Sequence, residues 1–108
     1  MKKQPISITG IRFAISEKNE ELARGYLYLL KNDLHERPYA FIEDLYVAEV
    51  ERGAGYGSKM LQAMIEETKK RGCYKIIATS RKTRKAVHSF YEKNGFQKWG
   101  YEFRIDLK

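Results

Sequence analysis

Hydrophobic and polar residues alternate along the first half of the chain. The runs "ISITGIRFAI" (6–15), "ARGYLYLLKND" (23–33) and "YAFIEDLYV" (39–47) show the period of two, or the nearly continuous apolar character, that is typical of β-strands. In the first run the alternation shifts by one residue at Gly10, which predicts a β-bulge there. Because the polar links between the runs are short, the three strands are predicted to form an antiparallel meander.

The hydrophobic period changes after Gly57. Apolar residues then recur on one face of a helix, which ends in a basic stretch and Gly72, a typical C-terminal signal. The face comprises Met60, Leu61, Met64 and Ile65. A short buried strand is predicted in "YKIIATS" (74–80), where apolar residues are consecutive.

The last third of the chain predicts one more helix and two more strands. "TRKAVHSFYEKNG" (83–95) has helical periodicity and stops at Asn94-Gly95. "FQKW" (96–99) and "YEFRIDL" (101–107) read as closing strands. The predicted order is βββ-α-β-α-ββ, an α+β fold with a mixed, mostly antiparallel sheet. With no linker or repeat, residues 1–108 are predicted to form one domain.

Three glycines at every second position stand where the third strand meets the first helix, in "RGAGYG" (52–57). Without Cβ atoms the backbone N–H groups can converge on an anion at the helix N-terminus, and Arg52 adds a bidentate donor for phosphate. A P-loop and a dinucleotide fingerprint are both excluded, since each needs a glycine at Ser58. The alternative is a flexible turn between strand and helix.

Composition narrows the classes of protein that are possible. The net charge of +7 and the pI of about 9.5 favour an anionic partner, although a solvated basic surface is the alternative. A single cysteine, Cys73, indicates a reducing, cytoplasmic setting. No apolar run approaches the roughly 20 residues of a membrane helix. One cysteine and two histidines, far apart, give no indication of a metal site.

Two segments resemble the GNAT N-acetyltransferase superfamily. "RGAGYG" is similar to its motif R/Q-x-x-G-x-G/A, and "AVHSFYEKNGF" (86–96) is similar to its second-helix motif. This resemblance covers nearly the whole chain and implies a GNAT-like fold that binds acetyl-CoA as co-substrate. The pyrophosphate would lie on the 52–58 loop, and the pantetheine arm along the end of the third strand. The implied binding residues are Leu45, Tyr46, Val47, Arg52, Gly53, Ala54, Gly55, Tyr56, Gly57 and Ser58.

The resemblance also implies catalytic residues for transfer of an acetyl group to a primary amine in a ternary complex. Such a reaction needs a base, because an amine with a pKa near 10 is mostly charged at neutral pH. "IEDLYV" is similar to the polyamine acetyltransferase branch, which implies Glu43 as the base, with Asp44 as second choice. Because adjacent strand residues face opposite ways, only one is expected to point into the cleft. A cross-strand salt bridge is the alternative for this pair. Tyr91 is implied as the general acid for the leaving thiolate.

Relative to the family, the chain lacks an N-terminal strand and the helices that form a lid, so the site is expected to be open or completed by a second copy. The strand at 6–15 is then expected to mediate a homodimer. The acceptor is expected to be a small amine, a protein lysine or a protein N-terminus.

Two other classes of function compete with the enzyme. One is a CoA-binding regulatory or interaction module with little turnover. The other is a nucleic-acid binder that uses the basic cluster at 81–85, but no RNA-binding motif is present. Within that cluster, Arg84 is expected to contact the 3′-phosphate of CoA.

Overall fold

The computed structural model describes residues 1–48 and 51–108, which form two compact units, Met1–Ala78 and Thr79–Lys108. Four strands and two helices are formed in these residues. They are β1 (Thr9–Glu17), β2 (Glu20–Leu30), β3 (Tyr39–Val47), α1 (Tyr56–Lys70), β4 (Ile76–Ala78) and α2 (Lys85–Lys93). The predicted α+β class and the order βββ-α-β-α are confirmed. The prediction of one domain spanning the chain stays a prediction.

The four strands of the first unit form one sheet in the order β1-β2-β3-β4. The pairs β1–β2 and β2–β3 are antiparallel, as the meander predicts, and β3–β4 is parallel. The parallel pair follows from α1, which lies between β3 and β4 in sequence and returns the chain to the same end of the sheet. Strand β1 lies at an edge of this sheet, and the homodimer expected from the strand stays a prediction.

The core of the first unit lies between α1 and one face of the sheet. Its buried residues come from the apolar stripe predicted for α1 and from β2 and β3, namely Leu22, Ala23, Leu27, Ala40, Ile42, Met60, Leu61 and Met64. At Gly25 a side chain of α1 packs directly on the sheet: a Cβ there would lie 2.5 Å from Met64 Cε. A larger residue at position 25 would therefore displace the terminal methyl of Met64, the flexible end of its side chain.

The bulge predicted at Gly10 is wrong. Strand β1 begins only at Thr9, so the shift in hydrophobic phase coincides with the start of the strand, and Gly10 pairs regularly with Tyr28. The register of this pair shifts instead between Ile15 and Ser16. Packing favours glycine at position 10, because a Cβ there would lie 3.1 Å from the Tyr28 ring.

The second unit contains α2 and the residues that follow it. The ring centroid of Tyr91 lies 5.4 Å from that of Phe90 and 5.2 Å from that of Phe96. The closing strands predicted at 96–99 and 101–107 are not formed, because residues 97–108 have neither helix nor strand structure. A strand needs a partner for its backbone hydrogen bonds, and this segment has the local pattern of a strand without that partner.

Candidate functional site

The loop that precedes α1 has an unusual backbone conformation. Gly53 and Gly55 have φ values of 91° and 86°, which side chains other than glycine rarely allow. Gly55 is the N-cap residue and makes no side-chain cap, and no acidic residue occupies the first turn. The first helical backbone bond runs from Lys59 N–H to the Gly55 carbonyl, at 3.0 Å. The positive end of the helix dipole is therefore not neutralised by its own sequence.

Three backbone donors are left open at this helix end. Within residues 1–48 and 51–108, no acceptor is found for the N–H groups of Tyr56, Gly57 and Ser58. A helix leaves its first N–H groups without intrahelical partners, and here no side chain replaces those partners. Converging donors beside a glycine loop are suited to a phosphate. That the 52–58 segment binds a phosphate stays a prediction.

Arg52 connects this loop to the end of β3. Its Nε donates a hydrogen bond to the Val47 carbonyl at 3.1 Å, and its guanidinium lies 5.9 Å from the centre of the Tyr46 ring. The side chain is exposed, so its remaining N–H groups are directed toward solvent. Arg52 can thus fix the loop relative to β3 while it offers donors to an anion.

The second half of β3 has an open edge. Its pairing with β4 covers only Ala40–Ile42, and the strand continues to Val47. Residues 43–47 therefore have no register partner on β4. Backbone groups of Leu45, Tyr46 and Val47 are then available on that side to an extended ligand, in the way that a strand edge accepts a peptide. This is the part of β3 along which the resemblance to the GNAT superfamily implies the pantetheine arm.

A bulge in β3 determines where the two candidate carboxylates lie. Asp44 has a φ of 52°, and the β2–β3 register shifts between Arg24 and Tyr26. Both Glu43 and Asp44 are exposed, although regular alternation would turn one of them away. Glu43 pairs with Tyr26, and Asp44 Oδ2 accepts a hydrogen bond from Arg24 Nε at 2.9 Å. The bulge therefore brings both carboxylates to the face of the sheet opposite α1.

For Asp44 the structure thus forms the cross-strand ion pair that the sequence left as an alternative. The partner, Arg24, also lies over the ring of Tyr46 at 4.5 Å. Arg24 was not predicted as a site residue. Finding it requires the β2–β3 register across the bulge, and no local pattern in the sequence gives that register. The roles of Glu43 and Asp44 in proton transfer stay predictions.

Tyr56 connects the same loop to β1. Its hydroxyl donates to Glu17 Oε1 at 3.5 Å. The negative charge of Glu17 raises the pKa of Tyr56, and partial desolvation and Glu51 act in the same direction. Tyr56 therefore stays neutral at physiological pH and adds no negative charge to the loop.

Two predicted site residues belong to the second unit. Arg84 is the N-cap residue of α2, and Tyr91 is half-buried in the last turns of that helix. The Tyr91 ring contacts the rings of Phe90 and Phe96. The general-acid role of Tyr91 and the CoA contact of Arg84 stay predictions.

Residues 1–48 and 51–108 contain neither a membrane-spanning helix nor a cluster of metal-binding side chains. Neither helix is long and apolar enough to span a membrane. In the same residues, no three His, Cys, Asp or Glu side chains cluster in a way that could hold a metal ion.

Comparison with protein families gives one match across most of the chain. Residues 7–96 match the model of the "Acetyltransferase (GNAT) family". Among curated proteins, the glucosamine 6-phosphate N-acetyltransferase of Trypanosoma brucei brucei is 38% identical over 71 residues. That match covers 66% of this chain and 46% of the relative, so the chain spans about half the length of the curated protein.

Solved structures agree with this match. A Trypanosoma brucei acetyltransferase superposes with a TM-score of 0.80 at 29% identity, over 93% of this chain and 69% of that structure. The glucosamine-6-phosphate N-acetyltransferase of Arabidopsis thaliana superposes with a TM-score of 0.82 at 25% identity, over 92% and 67% respectively.

Proposed function

The chain belongs to the GNAT acetyltransferase family, and from this premise we propose that it is an acetyl-CoA-dependent N-acetyltransferase acting on a primary amine. The observation that carries the proposal is the start of α1, where three unbonded N–H groups follow two glycines with positive φ. In a GNAT protein this position is expected to receive the pyrophosphate of acetyl-CoA. The net charge of +7 also favours an anionic co-substrate.

The remainder of the co-substrate is proposed to follow β3. The open edge at residues 43–47 offers backbone groups to the amide groups of the pantetheine arm. Arg52, bonded to the Val47 carbonyl, would contact the pyrophosphate where the arm ends. Arg84 would contact the 3′-phosphate. The thioester would then lie near Leu45 and the bulge, close to the exposed carboxylates of β3.

The proposed reaction is direct attack of a neutral amine on the thioester carbonyl. Glu43 removes the ammonium proton, directly or through water, since Asp44 is already paired with Arg24. A backbone N–H near Leu45–Val47 stabilises the oxyanion. Collapse of the tetrahedral species breaks the C–S bond, the nitrogen loses its second proton to water, and Tyr91 protonates the thiolate and is reprotonated from solvent. A phenol is suited to this step because its ordinary pKa, about 10, is close to that of a thiol.

The names of two relatives and the net charge of the chain suggest which amine accepts the acetyl group. Two of the relatives carry the name glucosamine-6-phosphate N-acetyltransferase. An amino-sugar phosphate combines a primary amine with an anion, and this combination suits a basic protein. We therefore place glucosamine 6-phosphate first, ahead of polyamines and of peptides with a free lysine or N-terminus. The single cysteine leads us to propose a cytoplasmic location.

The test is acetyl transfer to a panel of these amines, followed by release of free CoA thiol. Turnover that requires both acetyl-CoA and one amine class is expected, with acetylated product detected by mass spectrometry. Saturable acetyl-CoA binding without turnover on any amine would contradict the enzyme and would favour the alternative, a CoA-binding regulatory module.

Removing the proposed base should give a pH-dependent loss. In Glu43→Gln, we expect kcat at neutral pH to fall by about 10²-fold, because the amine stays protonated. Raising the pH supplies the neutral amine without a base. The deficit should therefore shrink about tenfold per pH unit until the pKa of the amine is reached. The measurement is a pH–rate profile of thiol release with saturating amine.

Asp44→Asn is the matched control for this prediction. It has the same change of charge at the neighbouring residue but breaks the ion pair with Arg24, which should cost at most about 1 kcal/mol of stability. Its kcat is expected to stay within a few-fold of the wild type across the pH range. If the pH-dependent deficit appears in Asp44→Asn instead, Asp44 is the base and the assignment of Glu43 is wrong.

A further inference from the structure

Two arginines share the aromatic ring of Tyr46 on β3. The guanidinium carbon of Arg24 lies 4.5 Å from the centre of this ring, and that of Arg52 lies 5.9 Å from it. Both distances are within the roughly 6 Å at which a cation is attracted to the face of an aromatic ring. Arg24 stands opposite Tyr46 in the β2–β3 register, whereas Arg52 belongs to the loop before α1. The ring therefore connects the sheet to the loop proposed to hold the pyrophosphate.

The two arginines differ in how their charge is balanced. Arg24 Nε lies 2.9 Å from Asp44 Oδ2, and its Nη1 lies 3.9 Å from Glu21 Oε2. For Arg52, no ion pair is formed with any carboxylate of residues 1–48 and 51–108. The position of Arg24 is thus fixed by β2 and β3, and its charge is compensated, while the positive charge of Arg52 is open to an anion.

The Arg52 side chain is held at two points. Its Nε donates a hydrogen bond to the Val47 carbonyl at 3.1 Å, and its guanidinium lies over the Tyr46 ring. One hydrogen bond fixes the position of a guanidinium but not its plane, and contact with a ring face restricts the plane as well. An arginine that is ordered before an anion arrives loses less side-chain entropy when it binds, so the affinity for the anion is higher.

We propose that Tyr46 is a positioning residue for the co-substrate: its ring, itself held by Arg24, orients Arg52 toward the pyrophosphate of acetyl-CoA. This role rests on the proposed function, since it takes the pyrophosphate as the anion. Tyr46 then has a side-chain role that is distinct from the backbone contacts proposed for it along the pantetheine arm. Asp44 has a role as well, because its carboxylate fixes Arg24 and, through Arg24, the ring.

Tyr46 can be replaced without removing a core residue. Its side chain is 39% exposed and does not belong to the buried set between α1 and the sheet. The face of its ring, rather than its hydroxyl, makes the contacts with both arginines. Phenylalanine keeps this face and leucine removes it, so that Tyr46→Phe and Tyr46→Leu together separate the effect of the ring from that of the hydroxyl.

The experiment is a double-mutant cycle in the full chain, with acetyl-CoA affinity measured by isothermal titration calorimetry. Tyr46→Leu should raise the Kd of acetyl-CoA about threefold to tenfold, because Arg52 is no longer ordered before binding. Tyr46→Phe should stay within about twofold of the wild type, since the ring face is kept. Arg52→Ala should weaken binding more than Tyr46→Leu does. Adding Tyr46→Leu to Arg52→Ala should then cause no further loss, because the residue that the ring orients is gone.

Tyr26→Leu is the matched control for Tyr46→Leu. The Tyr26 ring also lies near an arginine, Arg12, at 5.6 Å, but Arg12 belongs to β1 and is paired with Glu21 at 2.6 Å. Acetyl-CoA affinity should therefore equal that of the wild type in this variant. In steady-state kinetics, Tyr46→Leu should raise the KM for acetyl-CoA and leave kcat unchanged, whereas a loss of folded protein would lower kcat and leave KM unchanged.

Three results would overturn the role of Tyr46. They are an unchanged Kd in Tyr46→Leu, an equal loss in Tyr46→Phe, and a further loss when Tyr46→Leu is added to Arg52→Ala, which would show that the ring contacts the ligand itself. Each of these results includes acetyl-CoA binding by the wild type, so the proposed function would stand. A wild type that binds no acetyl-CoA would instead overturn the proposed function and, with it, the role of Tyr46.

Discussion

Gly55→Glu is expected to weaken acetyl-CoA binding by at least about 100-fold, because a carboxylate would occupy the position proposed for the pyrophosphate and repel it at close range. Gly55 is the N-cap residue of α1, beside the three open N–H groups. The new carboxylate would also interact favourably with the positive end of the helix dipole and would thus compete with the ligand. Isothermal titration calorimetry with acetyl-CoA measures the change.

Gly72→Glu is the matched control for this prediction. Gly72 follows the C-terminal end of the same helix, also has positive φ, at 73°, and a Cβ there would meet no atom within 4 Å, as at Gly55. The two substitutions therefore introduce the same charge with similar backbone strain, of order 1–3 kcal/mol, at opposite ends of α1. Only the Gly55 variant should lose acetyl-CoA. Equal losses of acetyl-CoA binding in both variants would indicate that the helix is destabilised. Undiminished acetyl-CoA binding by Gly55→Glu would show that the pyrophosphate does not bind at this helix end.

Tyr91→Phe is expected to lower kcat by about 10²-fold, the usual contribution of general-acid catalysis, while acetyl-CoA affinity changes only a few-fold. The Tyr91 ring packs between Phe90 and Phe96, and these contacts do not need the hydroxyl. The substitution should therefore leave the second unit intact and remove only the proton donor. Steady-state thiol release gives kcat, and calorimetry gives the affinity.

The control for the tyrosine prediction is Tyr74→Phe, which removes a phenol from a ring cluster with His35 and Tyr39. Its kcat should equal that of the wild type. If Tyr91→Phe has an unchanged kcat as well, Tyr91 does not protonate the leaving thiolate, and water or another residue must do so.

Features that depend on local sequence could be predicted well. The stripe of Met60, Leu61 and Met64 fixed the buried face of α1 because helical periodicity is a local property. The glycines at 53 and 55 indicated an unusual loop at the helix start, and both have positive φ. The resemblance to the GNAT family, carried by two short motifs, is confirmed by the match over residues 7–96.

Features that depend on strand register could not be predicted. The bulge at Asp44 and the ion pair to Arg24 arise from pairing between residues 20 positions apart in sequence. The same limit explains the closing strands, since the alternation at 99–107 is local but the partner that a strand needs is not. The misplaced bulge at Gly10 has the same origin: a shift in phase can mark either a bulge or the end of a strand.

The close contact at Gly25 has a consequence for the anion site. Met64 lies near the middle of α1, and its Cε lies where a Cβ on residue 25 would be. Helix α1 is 15 residues long, about 22 Å at 1.5 Å per residue, and the unbonded N–H groups lie at its start. A larger residue at position 25 would displace this methyl, which is the flexible end of the Met64 side chain, and Met64 would have to repack between the sheet and α1. The missing Cβ at Gly25 thus lets a full-length methionine fill the space beneath the helix whose first turn carries the proposed phosphate donors.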